Sequence, residues 1–325
     1  MLTLPILTVN KVIRAGILLL FAFSSICFGQ VPKYSSKTGM AVETYAFLKG
    51  RTAVLERIAV EYPSLKSEIK AATKHTQKLY ARAARNIEHF LAGELTQGDF
   101  QTLQNSFNAE INQQLDRPIE KEQYARDFLK RISDRSSSAK DSLLSKGIIS
   151  FAYHDAPQQE LADGHLKIFS TKNHPKSSDA ALQLPIPSSW LPQEAEMPQT
   201  IQQFTSFYGK GMEKIVLMVF DFSPGKEFIL DENTVREMIP SYSELIRTEV
   251  LQIDGRTAVM LELEEPLADG YSKIRMMQFM FIQNQKLYCL QGSIGPVENT
   301  RDLDLHLKKY EPLFRLVASR TEIEK

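Results

Sequence analysis

Cysteine is nearly absent: Cys27 and Cys289 are the only two in 325 residues. Cys27 lies in the leader described below, so an intramolecular disulfide framework is excluded and the chain must fold on core burial. A surplus of charge of either sign is also missing, with 39 basic residues against 39 acidic ones. The segment 1–29 holds two of the basic residues and none of the acidic, so the remainder carries a net charge of −2. That balance gives no compositional pointer to nucleic acid or an anionic membrane, and none to disorder. Tryptophan occurs once, as Trp190. No apolar run reaches the roughly 18 residues of a membrane-spanning helix.

What is present begins at the N-terminus. Lys11 and Arg14 precede an unbroken apolar run from Ala15 to Phe23, followed by small residues at Ser24, Ser25 and Gly29. This is the pattern of an export signal. Residues 1–29 are read as a signal peptide cleaved before Gln30, which places the protein in the periplasm or outside the cell. Retention of the segment as an anchor is the alternative, since Ile26, Cys27, Phe28 and Val31 lengthen the apolar span; Ile26 disfavours lipid attachment at Cys27. Export also removes the chain from ATP, reduced nicotinamide and nucleic acid, so no cofactor is expected.

Residues 40–147 read as a helical domain. Leu65, Ile69, Ala72, Thr76, Leu79, Ala83, Ile87, Phe90 and Leu91 recur at spacings of mostly three and four, predicting one long amphipathic helix over 64–94. An earlier helix carries Phe47, Leu48, Val54, Leu55 and Ile58. A third starts at Thr96, with Asp99 completing a capping box, and a fourth follows Pro118. Short connections favour antiparallel packing, hence a bundle. Gly147 is read as a helix C-terminal cap.

Residues 148–320 read as a second domain. Strands are predicted at 148–153, 165–170, 181–185, 201–208, 214–222, 248–253, 258–263, 272–282 and 286–293. Val216, Met218 and Phe220 alternate with Ile215, Leu217 and Val219, and 274–282 is equally apolar on both sides, so these strands sit mid-sheet with a layer over each face. Asp254-Gly255 and, more weakly, Gln283-Asn284-Gln285 mark hairpins. Helices predicted over 231–247 and 299–317 supply cover, each interrupted by a proline, Pro240 or Pro312. The fold class expected is α+β: an N-terminal helical bundle followed by an α/β/α sandwich with a mainly antiparallel sheet.

The phrase Leu184-Pro185-Ile186-Pro187-Ser188-Ser189-Trp190, the turn pattern Ile253 to Ala258 and the order of elements over 164–318 resemble the PsbP-like superfamily. That group includes the photosystem II extrinsic protein, DcrB-type bacterial envelope proteins and a eukaryotic Ran-binding import factor. The resemblance implies a small α/β sandwich that binds other proteins, and it transfers no catalytic residue.

Chemistry-bearing groups are sparse. His154, His165 and His174, with Asp155 and Asp163 among them, have ligand chemistry for zinc but none of its recurrent spacings. His154, Asp155, His165 and His174 are therefore the candidate metal residues. No G-x-S-x-G elbow occurs, because Gly292-Ser293-Ile294-Gly295 ends a strand. Cys289 sits inside a strand and reads as a small buried hydrophobe. Glu262 and Glu264 share a strand face and read as its solvated end. Met276, Met277 and Met280 read as core. For partner binding the candidates are Trp190 and Leu191 in the 187–198 loop, since tryptophan anchors interfaces; the alternative, which the family likeness favours, is that Trp190 plugs the sheet edge. The basic stripe of Lys66, Lys70, Lys74, Lys78, Arg82 and Arg85 adds a second surface. The reading is an exported, non-enzymatic binding or envelope-accessory protein with a protein partner and no nucleic acid. Membrane contact is expected only if the leader is retained. The alternative is a metal-dependent or hydrolytic enzyme with a site near the domain junction, using His154, Asp155 and His165.

Overall fold

The computed structural model describes residues 36–138, 143–177, 181–194, 197–221 and 229–323. The leader lies outside the described residues. The chain divides into two units, with the boundary between Ala152 and Tyr153.

The first unit is helical. Helix α1, Ser36–Glu61, buries Met40, Tyr45, Leu48, Val54 and Ile58 around most of its circumference, which suits a helix surrounded by others. The stretch predicted as one helix over 64–94 is broken. It comprises a 3-10 turn at Pro63–Leu65, helix α2 at Lys66–Thr73 and helix α3 at Gln77–Glu94. The threonines account for the break. Thr73 Oγ1 donates to the Ile69 carbonyl at 2.9 Å, and the Thr76 amide turns back to the Thr73 carbonyl at 3.0 Å, offering the backbone a local alternative to the helical ladder.

Helix α4, Gln97–Leu115, starts where expected, with Thr96 Oγ1 accepting from the Asp99 amide at 3.2 Å and donating to the Asp99 carboxylate at 2.7 Å. Helix α5, Glu122–Ser138, follows. Val54 and Ile58 of α1, Leu65, Ala72 of α2, and Ala125, Phe128 and Leu129 of α5 form one core.

Residues 148–152, predicted as a strand, belong to helix α6, Leu143–Ala152. Gly147 is inside that helix and not its cap. A Cβ at Gly147 would collide with Thr44 Oγ1, so the glycine allows α6 to press against α1. At the far end, Asn86 Nδ2 of α3 donates to the carbonyls of Phe151 at 2.9 Å and Ala152 at 3.3 Å, satisfying α6's last groups.

In the second unit, a short helix α7, Gln158–Ala162, leads into the strands, ten among the described residues, which form two sheets. The smaller is antiparallel, with β2, Leu182–Pro187, between β1, Leu166–Ser170, and β10, Glu322–Ile323. The larger has seven antiparallel strands in the order β3-β4-β5-β9-β8-β7-β6. These are β3 Leu191–Gln193, β4 Thr200–Thr205, β5 Glu213–Asp221, β6 Glu244–Ile253, β7 Arg256–Pro266, β8 Ser272–Gln283 and β9 Lys286–Glu298. Both hairpins are present: Asp254 and Gly255 have φ of 48° and 75°, and Asn284 and Gln285 of 50° and 59°.

The large sheet is apolar on both faces, as the doubled alternation predicts. Ile215, Leu217, Met277, Phe279 and Leu290 join one core with helix α9, Asp304–Ser319, and the smaller sheet. Val216, Met218, Met280, Leu287 and Cys289 join another on the opposite face. Helix α9 runs through Pro312 as one element. The helix predicted over 231–247 is corrected: only α8, Glu232–Glu237, is helical. Pro240 forbids its continuation, and 244–253 extends as β6. Among the described residues, Val235 of α8, with Leu230 and Ile239, supplies cover over the second face.

Candidate functional site

Two buried carboxylates organise the polar interior of the sheet unit. Glu160 of α7 accepts from the Ser189 amide at 2.8 Å and the Ser189 hydroxyl at 2.7 Å. This carboxylate fixes the turn that ends the Leu184–Trp190 phrase and sends the next residue inward. Trp190 is 5% exposed and meets the Tyr310 ring at 6.5 Å. The proposed anchor is therefore corrected: Trp190 is core, because Glu160 holds the backbone that aims it there. Leu191 is half-buried in β3.

Glu213, at the head of β5, is fully buried. It accepts from the Ser206 hydroxyl and pairs with His306 Nε2 of α9 at 2.7 Å. Tyr310, one turn beyond His306, also hydrogen-bonds Glu213. Burial, then the Glu213 carboxylate, and then the charges of Glu160 and Asp155 hold the Tyr310 phenol well above its ordinary value. The turn linking Ser206 to Glu213 is strained. Phe207 and Tyr208 have φ of 49° and 52°, in the region that favours glycine. A Cβ on Gly211 would strike Ser206 Oγ, so that position needs glycine.

Serine, histidine and carboxylate thus meet, in an order that matters. In a hydrolytic triad the imidazole lies between serine and carboxylate and takes the serine proton. Here Glu213 lies between the other two, so Ser206 donates to a carboxylate and the imidazole does not touch it. The arrangement is wired to lock the 206–213 turn to α9.

A second lattice joins α9 to the sheet. Arg275 donates to Glu262 at 2.6 and 3.0 Å, to Glu264 at 3.2 Å, and lies 3.2 Å from Asp304. Arg247 bridges Glu262 at 2.6 Å and Glu311 at 2.7 Å, and Arg315 bridges Glu311 at 2.8 Å and Glu249 at 2.7 Å. Burial opposes ionisation of Glu311, yet hydrogen bonds from Arg315 and Arg247 hold it below its ordinary value. Glu262 and Glu264 share a face as expected, but Glu262 is buried and paired, not solvated.

The candidate metal residues are dispersed. His154 Nδ1 lies 2.7 Å from Asp155, and its ring meets Phe207 edge-on. His165 packs on Tyr153, and His174 Nδ1 accepts from the Lys176 amide at 3.2 Å. Among the described residues no three of His, Cys, Asp and Glu converge as a metal site. Lys70, Lys74 and Lys78 are exposed, and Arg82 is half-buried.

On the outside, β6 ends the large sheet and, among the described residues, pairs only with β7. Ile246 is 38% and Val250 55% exposed along it. Beside it opens a groove of about 370 Å³ lined by Leu251, Gln252, Phe279, Pro312, Arg315 and Leu316.

No family model and no curated protein matches the chain. Solved structures are similar over about half its length. Cyanobacterial PsbP (CyanoP) from Synechocystis is 16% identical, with a TM-score of 0.35, over 49% of this chain and 93% of its own. PA94 from Pseudomonas aeruginosa, a protein of unknown function, is 15% identical, with a TM-score of 0.28, over 48% and 96%. LpqN, involved in cell envelope biogenesis of Mycobacterium tuberculosis, is 12% identical, with a TM-score of 0.32, over 52% and 98%. The first belongs to the group that the Leu184–Trp190 phrase resembles. Similarity of this depth carries no inference about activity or partner.

Glu160, Ser206, Glu213 and His306 escaped the sequence reading, and Tyr310 was read only as an apolar position of the terminal helix. The four-residue spacing of His306 and Tyr310 was a usable signal. Glu160 and Glu213 had none, since nothing local marks an isolated glutamate as buried.

Proposed function

We propose that the protein is an exported, non-enzymatic accessory protein of the envelope or exterior that acts by binding another protein. The observation that carries this reading is the open edge of the large sheet. β6 is ten residues long, presents Ile246 and Val250, and is flanked by the groove against α9. An extended segment of a partner can add to such an edge by backbone hydrogen bonds and place side chains in the groove. The buried carboxylates of Glu160, Glu213 and Glu262 support the same reading, because each is engaged in holding the fold.

The test uses the full chain with a photo-crosslinker at position 250 and, as control, at the exposed position 308. Crosslinked partner at 250 and not at 308, lost when Ile246→Lys is added, is expected. Equal capture at both positions, or none, overturns the reading. N-terminal sequencing of protein recovered outside the cytoplasm tests export, with Gln30 expected first.

A further inference from the structure

Overall neutrality conceals a division. Residues 30–152 hold 19 basic and 14 acidic side chains, a net of +5, while residues 153–325 hold 18 and 25, a net of −7. Within the helical unit two groups of cations contrast. Lys49 pairs with Glu88, Arg57 with Glu61, and Arg126 with Glu68 and Glu122. Lys66, Lys70, Lys74, Lys78 and Arg85 are exposed, and among the described residues none of them has a carboxylate within ion-pair distance. The acids in the same stretch are committed elsewhere: Glu68 to Arg126, and Glu88 to Lys49 and the Tyr45 hydroxyl at 2.5 Å.

The break between α2 and α3 leaves the stripe accessible, since Lys74 keeps helical φ and ψ of −47° and −47°. Between the cations, Ser67, Ala71, Gln77 and Ala81 are exposed, together with His75 and His89. The face therefore offers positive charge at regular spacing over small, unobstructive side chains.

We propose that this face of α2 and α3 adsorbs to an anionic phospholipid bilayer surface. The composition selects that partner over an acidic protein. Protein interfaces rest on buried aromatic and arginine anchors and are depleted in lysine. This face has four exposed lysines, exposed Arg85, half-buried Arg82 and no large exposed apolar side chain. An anionic leaflet asks only for flexible cations within a Debye length, each worth roughly five-fold in partition. The inference rests on the envelope reading only for the protein's access to such a membrane.

The experiment is co-sedimentation of the full chain with phosphatidylcholine vesicles with and without phosphatidylglycerol. Binding to the anionic vesicles alone, weakening steeply as salt rises from about 0.1 to 0.5 M, is expected. The triple variant Lys70→Gln, Lys74→Gln, Lys78→Gln lowers partition roughly 100-fold. The charge-matched triple Arg117→Gln, Lys130→Gln, Lys308→Gln, at exposed positions elsewhere, changes it little. The apolar run of residues 15–23 is common to all variants and cancels in the comparison. Equal losses in both triples, or vesicle binding indifferent to anionic lipid, overturns the proposal. So does retention on immobilised polyglutamate without vesicle binding, which would assign the face to an acidic protein. Because purified protein and defined vesicles are used, failure here leaves the β6 crosslinking result standing, and the converse holds.

Discussion

The two units treat charge in opposite ways. In the helical unit each amphipathic helix buries one stripe and leaves the other to solvent, so cations such as Lys70 and Lys78 stay uncommitted at no cost to the core. In the sheet unit the large sheet is buried on both faces, and a charge is admitted only where partners meet it. Arg275 has Glu262 and Glu264, and Glu213 has Ser206 and His306. The difference teaches that charge can be committed to architecture in one region and left unpaired on the surface in another.

The comparison can be broken first at the sheet's core. Phe314 of α9 packs directly over Gly292 of β9, where a Cβ would collide with its ring. Phe314→Ala should destabilise the sheet unit by about 4 kcal/mol in urea unfolding while the helical unit's transition stays in place. If both transitions move together, the units are not independent. Next in size is alkaline pH. Burial pushes the Cys289 thiol from its ordinary 9.0 up to about 12, so the unfolded chain releases this proton first as pH rises. The associated stability is complete below pH 9 and is lost between pH 9 and about 12, at about 1.4 kcal/mol per pH unit. Tyr310 adds a loss of the same sign above pH 10. Cys289→Ala should flatten the slope that begins near pH 9; an unchanged slope would deny the thiol's burial.

Charge itself gives a graded pair. Arg275→Ala takes from buried Glu262 the more buried of its two cations, leaving Arg247, and should cost about 3 kcal/mol. Arg315→Ala removes a partly exposed partner and should cost under about 1 kcal/mol. Equal costs would erase the distinction between the lattice's buried and outer arms. At the small end, Thr96→Ala removes the α4 cap and should lower the helical unit's stability by about 1 kcal/mol without touching the sheet unit.

Periodicity made the strands of the large sheet legible, because double alternation along 214–220 and 274–282 requires burial on two faces. The Thr96 cap and both hairpins were equally readable, being chemistry between near neighbours. Besides the 64–94 stretch, which breaks between Thr73 and Gln77, two elements were misread. Residues 148–152 are β-branched and aromatic enough to pass for a strand, yet α6 forms because Gly147 lets it close on α1. Residues 244–247 continue an apolar helical spacing, yet pairing with β7 draws them into β6.

For the site, the sequence by itself determined which residue types were on hand and that no recurrent metal or nucleophile spacing joined them. Only the tertiary structure decided that Trp190 turns inward, that Glu160 and Glu213 are buried hubs, and that Lys66, Lys70, Lys74, Lys78 and Arg85 meet no carboxylate among the described residues. The physical reason is range. Helix, cap and hairpin signals act over a few residues of chain, whereas a carboxylate's burial, and whether a cation finds a partner, depend on groups that folding brings from as far away as the 93 positions between Glu213 and His306.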